Sequence, residues 1–297
     1  MGKLRGWIGR HLRGCVQFMA TALGNGYAAG FLHGSIYRGD TKALCLPGLN
    51  CYSCPGALGA CPIGAFQAVI GNRNYHFAFY VAGFLIFVGA LAGRFVCGWL
   101  CPFGWIQELL YKIPFVKKLR RLPGEKWLCR IKYGVLLIFV ILLPMTVLDL
   151  VGQGSPWFCK YICPSGTLMA GFPLAVLNPS IRAGMGGLFL WKTAILVVVA
   201  LLSLLVYRPF CRYLCPLGAV YGLFNPVAVY RYRIDEHRCT KCGLCQKACK
   251  LDIPVYLKPN SMECIRCGEC KRACPQEAIL CGKRKDVSKK ERKIINV

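Results

Sequence analysis

The chain has 297 residues, of which 56% are hydrophobic and 21 are cysteine, with a formal charge of +26 and a mean hydropathy of +0.45. That balance excludes an ordinary soluble enzyme and a small secreted disulfide scaffold, and points to a membrane-embedded chain rich in metal-type cysteine spacings. Four apolar runs, near 15–36, 75–96, 133–150 and 186–207, compare with the roughly 20 residues that a helix needs to cross a bilayer. The first holds Asn25 and several glycines, the third has Pro144 near its end, and the fourth is short without 186–190. Such interruptions are tolerated where backbone packs on protein or cofactor instead of lipid. The opening MGKLRGWIGRHLRGC reads as the start of a retained first helix, its glycines too scattered for a cleavage site.

Lysine and arginine number 4 before the first run, 3, 9 and 3 in the successive loops, and 19 after the fourth. Both termini and the middle loop hold 32 of the 38, so they read as cytoplasmic and the other two loops as outward-facing. The expected location is the inner cell membrane, multi-pass. The charge needs no nucleic acid to explain it, and no Rossmann fingerprint, P-loop or nucleophile triad is present.

Between the first two runs lies CYSCPGALGACPIGA, with Cys51, Cys54 and Cys61, preceded by Cys45. Its C-P-x-G recurs at Cys101, Cys163 and Cys215, and in these three a cysteine stands four residues earlier, at Cys97, Cys159 and Cys211. By topology, Cys97, Cys101, Cys211 and Cys215 share the inner side and form one tetrathiolate site. Cys61, Cys159 and Cys163, completed by one of Cys45, Cys51 and Cys54, form a second on the outer side. Thiolates suit iron–sulfur iron, and a proline after a ligand offers no competing backbone donor. A disulfide stays open as the alternative for the outer cysteines.

The strongest signal is CTKCGLCQKAC followed by CIRCGECKRACP, each C-x2-C-x2-C-x3-C. In bacterial two-cluster runs the fourth cysteine serves the other cluster. The expected sets are Cys239, Cys242, Cys245 and Cys274 for one [4Fe-4S] cluster, and Cys264, Cys267, Cys270 and Cys249 for the other. Zinc also takes C-x2-C pairs, but two complete runs leave that reading little room. The first run ends in Lys250 where proline is usual. From 207 onward, 19 basic residues against 8 acidic favour an acidic soluble donor such as a ferredoxin or flavodoxin.

These motifs resemble the membrane polyferredoxins of the NapH and NosR type, over roughly 75–275. The resemblance implies electron transfer, as a component of an oxidoreductase system more than a stand-alone catalyst. It leaves open a quinone-linked subunit or a redox sensor, with a flavoprotein or quinone as membrane or extracytoplasmic partner. The expected fold is an all-α membrane domain over 1–230, with about four transmembrane helices in two pseudo-symmetric halves. A C-terminal α+β ferredoxin domain follows over 231–281, with a basic tail over 282–297. His33 and His76 read as interfacial histidines more than a haem pair, Glu108 and Asp149 as solvated helix-end acids, and Trp99, Trp105, Trp127, Trp157 and Trp191 as an interfacial belt.

Overall fold

The computed structural model describes residues 2–72, 79–114, 117–148 and 153–282. Among these, two helices, Glu125–Thr146 and Gly187–Leu205, are long and apolar enough to cross a membrane, with Phe79–Ala92 and Pro164–Leu177 as shorter apolar helices. Large apolar side chains on both long helices stay exposed: Leu190, Trp191, Val197, Val198 and Leu201 on one, and Trp127, Ile131, Leu137, Ile138 and Met145 on the other. A chain dissolved in water rarely leaves apolar faces of this extent uncovered.

Only the fourth apolar run folds over nearly its expected bounds. The helix expected over 15–36 runs instead over Gly2–Gly24. It stops because its last carbonyl, that of Gly24, is taken by the Leu58 amide at 3.0 Å and the Asn50 carboxamide at 3.2 Å. A short helix, Ala28–His33, follows and ends at exposed His33. Of the run expected over 75–96, residues 79–92 form one helix, and His76 lies outside the described residues. The chain breaks at Gly93, φ +53°, because the Asn225 side chain caps the Arg94 amide at 3.0 Å there and a Cβ would sit 2.5 Å from Asn225 Oδ1. The third helix begins at Glu125, ahead of the expected 133, while Asp149 and the tail beyond 282 also lie outside the described residues.

Two π-helical stretches, Leu136–Leu142 and Thr167–Gly171, each precede a proline, Pro144 and Pro173. Proline lacks the amide for an i−4 bond and crowds that carbonyl, so a wider turn ahead of it keeps the helix continuous.

The C-terminal part has the α+β form of a ferredoxin. Strand β1, Tyr232–Ile234, pairs antiparallel with β2, Ile279–Cys281, and the helices Leu244–Ala248 and Glu269–Arg272 lie between. The two cysteine runs fold alike: Lys241 and Arg266, Gly243 and Gly268, and Asp252 and Glu277 all have positive φ. Asp252 turns as Glu277 does, so Lys250 in place of proline leaves the turn intact.

This module is seated on the helical part. The Trp99 indole donates to Arg266 O at 3.1 Å, Arg266 donates to Ala92 O and Asn225 O at 2.7 Å each, and Asn225 donates to Cys264 O at 2.7 Å. Gly98 is required at the contact, because a Cβ there would lie 2.3 Å from Ile265 O. Trp99 therefore ties the module down instead of joining an interfacial belt. One continuous core runs through Cys61, Cys163, Cys97, Cys101, Cys215, Cys264, Cys270 and Cys245.

Candidate iron–sulfur centres

Each C-P-x-G builds the same local device. Cys61, Cys101, Cys163 and Cys215 are the N-caps of four helices with extended φ/ψ and proline in the first helical turn. Proline is preorganised there and gives up an amide that would be unpaired in any case. The glycine amide three residues on points at the cysteine sulfur in every copy, at 3.4 Å for Gly218 on Cys215. Glycine keeps the approach to the sulfurs open: a Cβ on Gly64 would lie 3.8 Å from Cys159 Sγ, and one on Gly166 would lie 3.6 Å from Cys51 Sγ. The earlier cysteines, Cys97, Cys159 and Cys211, each sit third in a five-residue helix ending just before the cap.

The fold gathers these thiols in fours. Cys97, Cys101, Cys211 and Cys215 are electrostatic neighbours in all six pairings. The same holds for Cys51, Cys61, Cys159 and Cys163. It holds again for Cys249, Cys264, Cys267 and Cys270. Cys239, Cys242, Cys245 and Cys274 line one small cavity in the ferredoxin part, beside Ile234 and Ile279.

Cys54 stands back from the second group. It neighbours Cys51 and Lys42, and its sulfur takes the amides of Gly56 and Ala57. Cys45 is buried on the other side of the loop, its amide on the Tyr80 hydroxyl at 3.3 Å. No disulfide joins any of the 21 cysteines.

The loop bearing Cys51 is packed into the core at several points. Leu49, Cys54, Ala57 and Cys61 are buried, and the Leu49 amide donates to the Cys101 sulfur of the first group. Cys51, two residues on, belongs to the second group. Tyr221, fully buried with its hydroxyl on Pro47 O at 3.2 Å, neighbours Cys61 as well as Cys97 and Cys101.

Charges flank the Cys97 group and the module. Glu108, expected as a solvated acid, is instead buried between Arg13 at 2.7 Å and Arg208 at 2.9 Å, with the Tyr207 hydroxyl donating to it. Burial pushes its carboxyl up, but Arg208 and Arg13 outweigh this and hold it below the usual carboxylate range. Arg208 also donates to Cys97 O and is locked at φ +52° ahead of Pro209, while Arg13 and Tyr207 neighbour Cys267. Arg94 donates to Cys211 O at 2.8 Å and pairs with Glu263 at 2.7 Å, which Lys132 also holds. At the Cys51 group the flanking cations are Lys192, on Cys159 O at 3.2 Å, and Lys42. In the module, burial pushes the Cys264 thiol up to about 12, so a metal bound there releases protons.

Two residues were not legible in the spacing of the cysteines. Gln67 and Gln107, each six residues after a capping cysteine, lie at 0% and 1% exposure and donate to Cys159 Sγ at 3.3 Å and Cys211 Sγ at 3.2 Å. The signal was present as C-P-x-G-x-x-Q in the first two repeats.

The donor sets fit [4Fe-4S] clusters: each is four cysteines, withdrawn from solvent in whole or in part except for Cys242 at the ferredoxin edge, with amide N–H groups aimed at sulfurs. Among the described residues, no three His, Cys, Asp or Glu side chains converge as a single ion requires. Zinc, at about 2.3 Å from sulfur, would draw its ligands much closer than a cubane does, each of whose irons takes one thiolate.

A 4Fe-4S binding domain family model matches three times, over 74–123, 132–173 and 188–231, each match carrying one C-x3-C-P pair. A second 4Fe-4S binding domain model matches 257–280. The uncharacterized protein MJ0749 of Methanocaldococcus jannaschii is 30% identical over 60% of this chain and 60% of its own length. The ferredoxin-type protein NapH of Haemophilus influenzae is 28% identical over 56% of this chain and 50% of its own. The methylamine utilization ferredoxin-type protein MauN of Paracoccus denitrificans is 27% identical over 82% and 78%. The chain thus spans about 60% of MJ0749 and half of NapH. No solved structure matches it. With its 4Fe-4S binding domains, repeated cysteine pairs and ferredoxin-type relatives, the chain carries the cysteine pattern and the [4Fe-4S] binding domains of the polyferredoxins of the NapH and NosR type.

Proposed function

We propose that this protein carries electrons across or within a cell membrane through four [4Fe-4S] clusters, between a cytoplasmic donor and a membrane or extracytoplasmic acceptor. The observation that carries this reading is that thiols of all four groups lie in one contiguous core. On this reading Cys239, Cys242, Cys245 and Cys274 hold the first cluster, and Cys249, Cys264, Cys267 and Cys270 the second. Cys97, Cys101, Cys211 and Cys215 hold the third, and Cys51, Cys61, Cys159 and Cys163 the fourth. A bound cluster supplies one-electron storage; the chain supplies ligands, amide donors and a dry path.

The apolar helices support a bilayer setting for the series, and the distribution of lysine and arginine supports cytoplasmic termini by the positive-inside rule. The repeats then form two halves, the first completed by the third and the second by the fourth. Electrons enter at the ferredoxin edge, where Cys242, Lys241 and Lys247 are exposed, a face suited to an acidic ferredoxin or flavodoxin-like donor.

Cys61→Ser and Cys163→Ser test the assignment: both variants lose the same spectroscopic signal and about four irons, and retention of all signals in either would sink it. Liposomes holding a trapped acceptor test the crossing. Intact clusters without electron transfer from outside reductant to inside acceptor would reduce the protein to an anchored ferredoxin.

One observation favours a quinone as the membrane partner. An apolar cavity lined by Ala20, Leu23, Leu46, Pro47, Leu100 and Pro102 adjoins Cys101, and the buried Asn50 Oδ1 beside it has no hydrogen-bond partner. Quinol-driven reduction of the Cys101 centre, blocked by a quinone-site inhibitor, is the expected result on this reading.

A further inference from the structure

We propose that Gln67 and Gln107 are paired potential-setting residues: Gln67 raises the reduction potential of the Cys51–Cys61–Cys159–Cys163 centre and Gln107 that of the Cys97–Cys101–Cys211–Cys215 centre. The proposal rests on the reading that these groups hold clusters. Both glutamines make the same three bonds, two across to the partner repeat and one within their own helix. Gln67 Oε1 accepts from the Phe158 amide at 3.0 Å, and its Nε2 donates to Cys159 Sγ at 3.3 Å and to Ile63 O at 3.3 Å. Gln107 Oε1 accepts from the Phe210 amide at 3.1 Å, and its Nε2 donates to Cys211 Sγ at 3.2 Å and to Phe103 O at 3.3 Å.

The carboxamide orientation is not arbitrary. A backbone N–H can only meet an acceptor, so the oxygen faces Phe158 or Phe210 and the nitrogen must face the sulfur. Each glutamine therefore presents a fixed N–H to a thiolate in a dry site. Reduction adds negative charge to the cluster and its thiolates, so such a donor favours the reduced state. A carboxylate would turn a lone pair on the sulfur, and an apolar side chain would leave the phenylalanine amide unpaired. The third and fourth repeats have Met169 and Tyr221 at this position, so each centre receives one glutamine, from its first or second repeat, onto a cysteine of its third or fourth.

The test is an anaerobic redox titration of the detergent-solubilised full chain, followed by low-temperature paramagnetic resonance, on Gln67→Leu, Gln107→Leu, Gln67→Glu and Gln107→Glu. Gln67→Leu shifts the potential of one membrane-domain signal downward and leaves the other in place; Gln107→Leu does the reverse. The glutamate variants make the same signal's potential pH-dependent where the parent's is flat, because a carboxyl donates to sulfur only while protonated. Unchanged potentials with clusters retained would overturn the proposal, as would equal shifts of both signals from one substitution. Selective loss of one cluster in both variants at a position would assign that glutamine to cluster retention and reject the potential-setting role. Absence of any membrane-domain signal in the parent would instead fell the four-cluster reading itself.

Discussion

Glu108 holds two arginines that would otherwise be buried as bare cations, and through them it ties the first helix, the Cys97 segment and the Arg208 turn together. Removing one partner of a buried ion pair costs about 3–5 kcal/mol, so Glu108→Gln should destabilise by that order in chemical denaturation in detergent. The loss depends on pH in a fixed direction. Because the folded carboxyl titrates below its unfolded value of about 4.3, its contribution is whole above that pH and drains away as pH falls through the lower folded value. Parent and variant should therefore converge in stability under acid, and a gap that stays constant down to pH 3 would refute the assignment. At Gly98 the decisive quantity is room, not charge. A methyl group 2.3 Å from Ile265 O must push the ferredoxin part away, so Gly98→Ala should slow electron passage from the ferredoxin clusters to the Cys97 centre while both remain loaded. Stopped-flow reduction followed by cluster-specific signals would read this.

At the scale of elements, the segment 44–61 is seated by contacts that its residues do not suggest in isolation. Counting lysines and arginines assigns a loop to a side of the membrane but says nothing of its depth. The loop's burial arises from Leu49 reaching Cys101 and Leu58 reaching Gly24, contacts invisible to any local pattern. The choice between Cys51 and Cys54 was open for the same reason: the two share one turn, and only its tertiary seating turns Cys51 toward Cys163 and Cys54 toward Lys42. Cys51→Ser should cost one cluster signal and Cys54→Ser none. By contrast, the C-P-x-G devices and the ferredoxin runs were fully legible, because a cysteine cap, its proline and its glycine act within four residues. Gln67 and Gln107 were written in the same repeats but went unread, since glutamine is not a ligand type and its partners are about a hundred residues away.

On the scale of the whole molecule, a basic ferredoxin face should draw an acidic donor by long-range attraction. Its second-order rate constant should then fall as ionic strength rises past about 0.15 M, where the screening length is about 8 Å; a salt-independent rate would exclude electrostatic steering. The helical class and the appended ferredoxin follow from hydropathy and spacing, whereas the helix ends did not, because Asn225 and Gly24 terminate helices through contacts made far along the chain. One contact bears on energetics. The Leu49 amide donates to the Cys101 sulfur and Cys51 follows two residues later, so at most about 14 Å of chain, side chain and hydrogen bond joins the Cys101 and Cys51 sulfurs. In the proposed bilayer setting, with a hydrocarbon core of about 30 Å, a step of that length crosses at most about half of the transmembrane voltage. At about 2.3 kcal/mol per elementary charge for each 100 mV, an electron passing between these two groups would do at most about 1.2 kcal/mol of electrical work. The rest would fall on the passages into and out of the pair, where membrane potential would then throttle the current.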